Sequence, residues 1–375
     1  MRRREWMRTA GAAAGAAALG REAAAQVGTA ASAGPSTLET EVMRLRLRHT
    51  WTTTMSSSEY RDTLHVRFSR EGTTGLGEGA PIVRYHEDAL GGQKALEAAR
   101  PQVLAGDPWR LESLEAEVFP QLENQYAARA ALDIALHDWT GLRLGVPLYR
   151  LLGLDPDAAP ITTFSIGIDT PEVTRQKVRE AAEFPVLKVK VGLATDEPTI
   201  EAVRSVTDKP LRVDANEGWK DKETALRKIE WLAGKGVEMM EQPLPAAMLE
   251  ETAWIKKRSP IPLFADEACL RASAIPGLAG AYHGVNVKLD KAGGIREAVR
   301  MIHVARACGL KVMLGCMVST SVSTTAAAHI SPLVDFADLD GNLLIANDPW
   351  EGVTVKEGRL RLPDRPGLGL RRRTA

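Results

Sequence analysis

PLRVDANEGW, residues 210–219, opens as an apolar strand and ends in an acidic turn, and the same pattern returns in VEMMEQPLP (237–245) and PLFADEACL (262–270). Asp214, Glu241 and Asp266 are separated by 27 and 25 residues, and Lys288 follows 22 residues later. These intervals match one β/α unit, so the four side chains would recur at the same end of successive parallel strands. Three carboxylates converging on one point repel each other unless a cation lies between them. All-oxygen ligation suits Mg2+, or Mn2+ in its place.

In VLKVKVG (186–192), Leu187, Val189 and Val191 share one face and Lys188 and Lys190 the other, because side chains alternate along a strand. On a lone strand two such lysines would describe a solvated edge. GVNVKLDKAGG (284–294) repeats the division, with Asn286, Lys288 and Asp290 opposite Val285, Val287 and Leu289. In RVDAN, Asp214 and Asn216 lie opposite Val213 and Ala215. Polar faces repeated in strand after strand describe the inward side of a barrel near its upper rim, where the carboxylates and lysines converge.

With 375 residues, 44% hydrophobic content and zero formal net charge, the chain can bury a barrel of ~250 residues and still hold a second domain. Balanced charge gives no footing for nucleic acid, and no segment has the unbroken apolar length of a membrane span. From ITTFSIGI (161–168) to VDFADLD (334–340), eight strand-like segments alternate with helical ones. The predicted class is α/β: a modified TIM barrel, (β/α)7β, over residues 156–349. An α+β capping domain is expected at 38–155, completed by the C-terminal segment 350–375. Within it ETEVMRLRLRHT (39–50) and YRDTLHVRFS (60–69) read as meander strands, and AARAALDIALHDWTGLRLG (127–145) as a helix with an apolar stripe at 3.6-residue spacing.

Arg3-Arg4-Glu5-Trp6-Met7-Arg8 resembles a twin-arginine export signal, followed by a weakly apolar stretch, Ala10 to Leu19, and a small-residue cleavage site, Ala23-Ala24-Ala25. Residues 1–25 therefore read as a signal peptide, 26–37 as a linker, and the mature protein as periplasmic. A disordered Ala-rich leader is the alternative. Cys269, Cys308 and Cys316 are odd in number and lack metal-ligand spacing, so no disulfide framework is expected.

Lys-x-Lys at 188–190, Asp-x-Asn at 214–216, Glu-Gln-Pro at 241–243, Ala-Asp-Glu at 265–267 and Val-Lys-Leu-x-Lys-x-Gly-Gly at 287–294 follow one another in that order. Together they resemble the muconate-lactonising-enzyme subgroup of the enolase superfamily, and within it the dipeptide epimerases. The resemblance implies that Asp214, Glu241 and Asp266 hold one Mg2+ per subunit, supported by Asn216 and Glu267. It also implies that Lys190 and Lys288 are acid/base residues on opposite faces of the substrate, with Lys188 behind Lys190 favouring its neutral amine. Removing a proton α to a carboxylate leaves an enediolate, whose charge a divalent ion stabilises. The lysine that takes the proton must be neutral, so its reference pKa near 10.4 must fall toward roughly 7 to 8. Removal on one face and return on the other gives epimerisation.

Asp338-Leu339-Asp340 resembles the Asp-x-Asp motif by which dipeptide epimerases hold the substrate's α-ammonium group. A strand-end turn at Asp340-Gly341-Asn342 is the other reading. The implied substrate is a dipeptide, and a homo-oligomer is compatible with the family. The alternative functions are an N-acylamino-acid racemase or an o-succinylbenzoate-synthase-like dehydratase. A non-catalytic binding protein is disfavoured, since all three ligands and both lysines are present. Specificity is expected from the capping loops 50–60 and 76–88. Thr54, Met55, Ser56 and Ser57 occupy the stretch where alanine-glutamate epimerases carry a basic residue, and residues 53–58 hold no Arg or Lys. A neutral second residue is therefore expected rather than Glu, with Arg61 and Arg84 as other sources of charge.

Overall fold

The computed structural model describes residues 36–374. The expected signal peptide, 1–25, and the expected linker up to residue 35 lie outside the described residues. Thr37 already opens β1 (Thr37–Thr52), which pairs with β2 (Ser57–Arg70) and β3 (Thr73–Gly79) in an antiparallel meander. The helix Tyr126–Leu144 crosses this sheet at backbone distance. A Cβ on Gly75, Gly77 or Gly79 would stand about 2 Å from the carbonyl oxygens of Ala135, Ala131 and Ala127, so β3 can approach the helix only with glycine on that face. Leu64, Val66 and Phe68 of β2 meet Leu132, Leu136 and Trp139 of the helix in a core of their own.

The second sheet is the ring expected from the repeated strands. β4 (Phe164–Ile166), β5 (Leu187–Lys190), β6 (Leu211–Asp214), β7 (Val237–Glu241), β8 (Leu263–Ala265), β9 (Gly284–Lys288), β10 (Lys311–Gly315) and β11 (Phe336–Asp338) pair in sequence order, every pair parallel. A parallel bridge from Thr162 to Ala337 joins the last strand to the first. Helical crossovers connect each strand to the next, whereas β11 is followed only by a 3-10 turn, Gly341–Leu343. This is a (β/α)7β modified TIM barrel with an antiparallel capping domain.

Alternation gives the barrel strands two different faces. Outward, Val189, Val213, Ala265, Val285, Val287 and Leu314 pack beneath the helices. Inward and low, Met239, Phe264, Met313 and Phe336 fill the lumen; each such buried side chain stabilises by roughly 1.5–3 kcal/mol. Arg212 lies 4.8 Å over the Phe336 ring and pairs with Glu238 at 2.9 Å. One step higher the inward positions are charged, and withdrawing an ion from water costs several kcal/mol unless it is well paired. The lower layer therefore holds the barrel together, and the upper layer has another use.

The closing segment forms two small hairpin-like pairs of its own, Trp350–Glu351 with Arg371–Arg372 and Thr354–Lys356 with Arg359–Arg361. It then meets the cap helix: Leu368 N donates to Asp138 Oδ1 at 2.7 Å. No helix of the described residues is long and apolar enough to cross a membrane.

Candidate active site

The charged upper layer is arranged around the ring in strand order. β5 and β9 are four strands apart in an eight-strand ring, so Lys190 and Lys288 stand across its mouth from each other. Asp214 and Glu241 end β6 and β7, and Asp266 follows the last residue of β8, filling the arc between the lysines. Asp338 ends β11 on the opposite arc. Ligand atoms of Asp214, Glu241 and Asp266 lie within 4.8 Å of one another, and all three residues are buried. A cavity of about 520 Å³ opens above them, lined among others by Lys190, Lys288, Asp338 and Asp340.

The lysines close onto these carboxylates. Lys190 Nζ donates to Asp214 Oδ2 at 2.6 Å and Lys288 Nζ to Asp266 Oδ2 at 2.8 Å. Burial alone would depress the Lys288 ammonium, but Asp266 and Glu241 hold it above the ordinary lysine range. Lys188 is almost sealed, at 1% exposure. Its Nζ stands 2.7 Å from Asp338 Oδ2, 2.6 Å from Glu241 Oε2 and 3.6 Å from Asp214 Oδ2. Burial works against that charge too, yet Asp338, Glu241 and Asp214 keep it well above its usual range. Lys188 thus ties the two arcs together beneath the cavity.

The acidic cluster fits a divalent cation. Burial and Asp214 push Glu241 up to about 7, and burial with Asp266 and Asp214 pushes Glu267 up to about 8. The approach of Lys188 to Glu241 lacks hydrogen-bond geometry, which leaves Glu241 Oε2 a buried acceptor without a donor, as is Glu267 Oε2. Carboxylates that repel each other while buried oxygens lack donors form the environment an oxygen-seeking ion relieves. Asn216, expected to support the ligands, donates its Nδ2 to Asp214 Oδ2 at 3.2 Å and to Glu267 Oε1 at 3.1 Å. Asn216, Glu217 and Gln242 have φ of 42°, 61° and 35°. Such left-handed backbone is disfavoured for residues with a Cβ, and here it follows directly on the strands that end in Asp214 and Glu241.

Asp338, at the end of β11, and Asp340, two residues on, differ. Asp338 is engaged, accepting from Lys188 Nζ, from Thr163 Oγ1 at 2.5 Å and from Ser165 Oγ at 3.3 Å, and despite its burial Lys188 holds its carboxyl below the ordinary range. Asp340 accepts from Ser165 N at 2.6 Å, and burial beside Asp338 pushes it up to about 7. Its charge is the uncompensated one.

Of the expected specificity residues, Met55 and Ser56 line the cavity. Thr54 instead donates to Asn216 O at 2.6 Å, and the Ser57 hydroxyl meets Thr52 Oγ1 at 2.8 Å. Arg84 is paired with Glu217 through Nε at 2.8 Å. Arg61 also lines the cavity; its Nη1 donates to Tyr60 O at 3.0 Å, and it has no ion pair among the described residues.

Two side chains that the motifs contained were given no role from sequence. Lys291 Nζ pairs with Asp266 Oδ1 and donates to Asp266 O at 2.6 Å and Asn286 O at 3.1 Å. Gln242 Oε1 accepts from Asp266 N at 2.9 Å, while its Nε2 donates to Tyr282 Oη at 2.9 Å. Both hold Asp266 in place. Asp290 is a correction: strand alternation put it beside Lys288, but β9 ends at Lys288 and a one-turn helix, Leu289–Ala292, carries Asp290 toward the cap.

Residues 37–153 match the family model described as the mandelate racemase/muconate lactonizing enzyme N-terminal domain, and residues 172–374 that of the enolase C-terminal domain-like fold. The chain is 45% identical to the L-Ala-D/L-Glu epimerase of Bacteroides thetaiotaomicron, covering 87% of this chain and 85% of that one. It is also 45% identical to the L-Ala-D/L-amino acid epimerase of Pedosphaera parvula, covering 87% and 96%. Among solved structures, a dipeptide epimerase from Enterococcus faecalis V583 complexed with Mg and the dipeptide L-Leu-L-Tyr superposes with a TM-score of 0.83 at 31% identity, covering 89% of this chain and 98% of that one. The two domain matches span the cap and the barrel that bring the triad and the lysines together, and the chain belongs to the mandelate racemase/muconate lactonizing enzyme family of the enolase superfamily.

Proposed function

We propose that the protein is a Mg2+-dependent dipeptide epimerase that inverts the α-carbon next to the substrate carboxylate by proton transfer between two lysines. The observation that carries this reading is the ring order: Lys190 and Lys288 face each other across the mouth, an acidic triad lies on one arc between them, and Asp338 stands on the other. A dipeptide laid across that mouth would point its carboxylate to the triad and its α-ammonium to Asp340. Its second α-carbon would then lie between the lysines.

One lysine Nζ, as the neutral amine, takes the α-proton while the C–H electron pair moves into the carboxylate. The opposite lysine, as the ammonium, returns a proton to the other face. A divalent cation held by Asp214, Glu241 and Asp266 would balance the charge gathering on that carboxylate and draw the three carboxylates away from the lysines. Lys188 keeps Asp338 and Glu241 at fixed distances beneath the substrate. Trp51, whose ring centroid is 6.0 Å from Lys190 Nζ, helps exclude water from that lysine.

Because no lysine or arginine among the described residues pairs with Asp340 whereas Lys188 pairs with Asp338, the α-ammonium partner is Asp340. A free dipeptide should be epimerised, whereas its N-acetyl form should react about a hundredfold more slowly or worse. A buried charge pair broken on one side costs ~3–5 kcal/mol, which is at least two decades in rate. Asp340→Asn should lose a similar factor on the free dipeptide and little more on the acetylated one. Parallel kcat/KM measurements on both substrates check this, and N-acylamino acids proving the better substrates would replace the dipeptide reading with the racemase alternative.

Arg61 bears on the second residue. The neutral preference expected from residues 53–58 omits this guanidinium, which reaches the cavity from β2 and is partly desolvated there, a loss that lowers its pKa. It offers an acidic side chain a partner. L-Ala-L-Glu should therefore be accepted, and Arg61→Gln should lower its kcat/KM about tenfold or more while sparing L-Ala-L-Leu, since hydrogen bonds to charged groups contribute ~1.5–3 kcal/mol. An unchanged Glu-to-Leu preference in that variant would return the assignment to a neutral second residue.

A further inference from the structure

The segment from Ala80 to His86 lines the cavity along its whole length, although only one 3-10 turn, Val83–Tyr85, is regular within it. It is tied down at three points. Glu87, just beyond it, accepts from Tyr126 N at 3.1 Å and Ala127 N at 3.0 Å, which anchors one end within the cap. Arg84 reaches the barrel at Glu217, a partly exposed pair. At the other end Ala80 N donates to Asp290 Oδ1 at 2.7 Å, and Asp290 is 1% exposed. Asp290 lies two residues after Lys288, on the one-turn helix that also bears Lys291.

A sealed carboxylate without a cation is a poor stabiliser. Burial pushes Asp290 up to about 7, and Glu78 and Glu87 add like charge; among the described residues no lysine or arginine pairs with it. What the group does achieve is a fixed distance between Ala80 and the turn that follows the strand of Lys288.

We propose that Asp290 is a positioning residue that, through Ala80 N, fixes the Ala80–His86 segment as the cavity wall beside Lys288 against which the substrate packs. The role in catalysis rests on the epimerase reading; the anchoring itself does not.

The test compares Asp290→Asn, which keeps an oxygen for Ala80 N, with Asp290→Leu, which keeps the branched shape and removes the acceptor. Asp290→Ser, too short to reach, serves if the leucine variant fails to fold. Each full-length protein, with Mg2+, is followed by amide hydrogen exchange of residues 80–86 and by dipeptide kinetics. Loss of one anchoring hydrogen bond should speed exchange of that segment about tenfold and raise KM by a similar factor with a smaller fall in kcat, while the asparagine variant stays within about threefold of the parent on both. Parental exchange and KM in the folded leucine or serine variant would overturn the proposal, as would an asparagine variant as impaired as the leucine one. If none of the proteins, the parent included, turns over dipeptides, the epimerase reading fails and the exchange result alone decides the role of Asp290.

Discussion

Epimerisation is expected to vanish when Glu241 is replaced by Gln, with the fold intact. Glu241 stands on the middle strand of the triad and its Oε2 has no hydrogen-bond donor, so the amide removes the charge and the oxygen best placed for a cation. It would also turn a donating NH2 toward its neighbours or leave Lys188 with one carboxylate fewer. The expected loss is the full catalytic effect, since single electrostatic stabilisers at developing charge are worth ~10²–10³ in rate and the cation's site goes with this one. Bound Mg2+ and turnover at moderate Mg2+ are the readouts, beside thermal unfolding to show that the barrel survives. Replacing the residue removes a buried repulsion in the metal-free protein, because Glu241 is pushed up by burial and by Asp214. The metal-free variant should therefore unfold no lower than the parent. Near-normal turnover, or full parental activity after exhaustive chelation, would contradict the metal assignment.

The second large effect is stereochemical. Lys190 and Lys288 face each other across the mouth, so each should serve one face of the α-carbon. Lys190→Ala and Lys288→Ala should both abolish epimerisation, by a factor comparable to removing a general acid or base, ~10²–10⁴. They should differ in what survives: each should still exchange the α-proton with deuterated solvent from the epimer whose proton faces the remaining lysine. Proton NMR of both epimers with both variants makes four measurements, and the expected pattern is reciprocal. Epimerisation persisting in either variant would exclude the two-lysine mechanism.

Side-chain alternation made most of the site legible. It needs only the strand's phase, and LKVK, LRVD and GVNVK each mark that phase with valine or leucine on the outward face, so the inward charges could be assigned before any contact was known. Spacing of one β/α unit then brought them to the same rim. Where the strand stops the rule stops, and Asp290 and Lys291, only two and three residues beyond Lys288, lie on a helical turn with a different periodicity. Arg61, named with Arg84 as another source of charge, lines the cavity. The ungapped placement against His65-Val66-Arg67 selected Thr53 to Ser58, where Thr54 is bonded to Asn216 O of the barrel and Ser57 to Thr52 Oγ1. The position of Lys188 behind Lys190 was legible, but its pairing with Asp338 joins β5 to β11, on the far side of β4 and 150 residues away in sequence, and has no local signature.

The central claim, proton transfer at the second α-carbon of a free dipeptide, is tested most directly by incubating L-Ala-L-Glu and L-Ala-L-Leu with the Mg2+-loaded protein in D2O and reading mass and configuration of each residue after hydrolysis. The account predicts that one deuterium enters at the α-carbon of the second residue, that this residue alone is epimerised, and that chelation stops both changes together. Label at the first residue, or no label in either dipeptide while an N-acylamino acid is labelled, would contradict it.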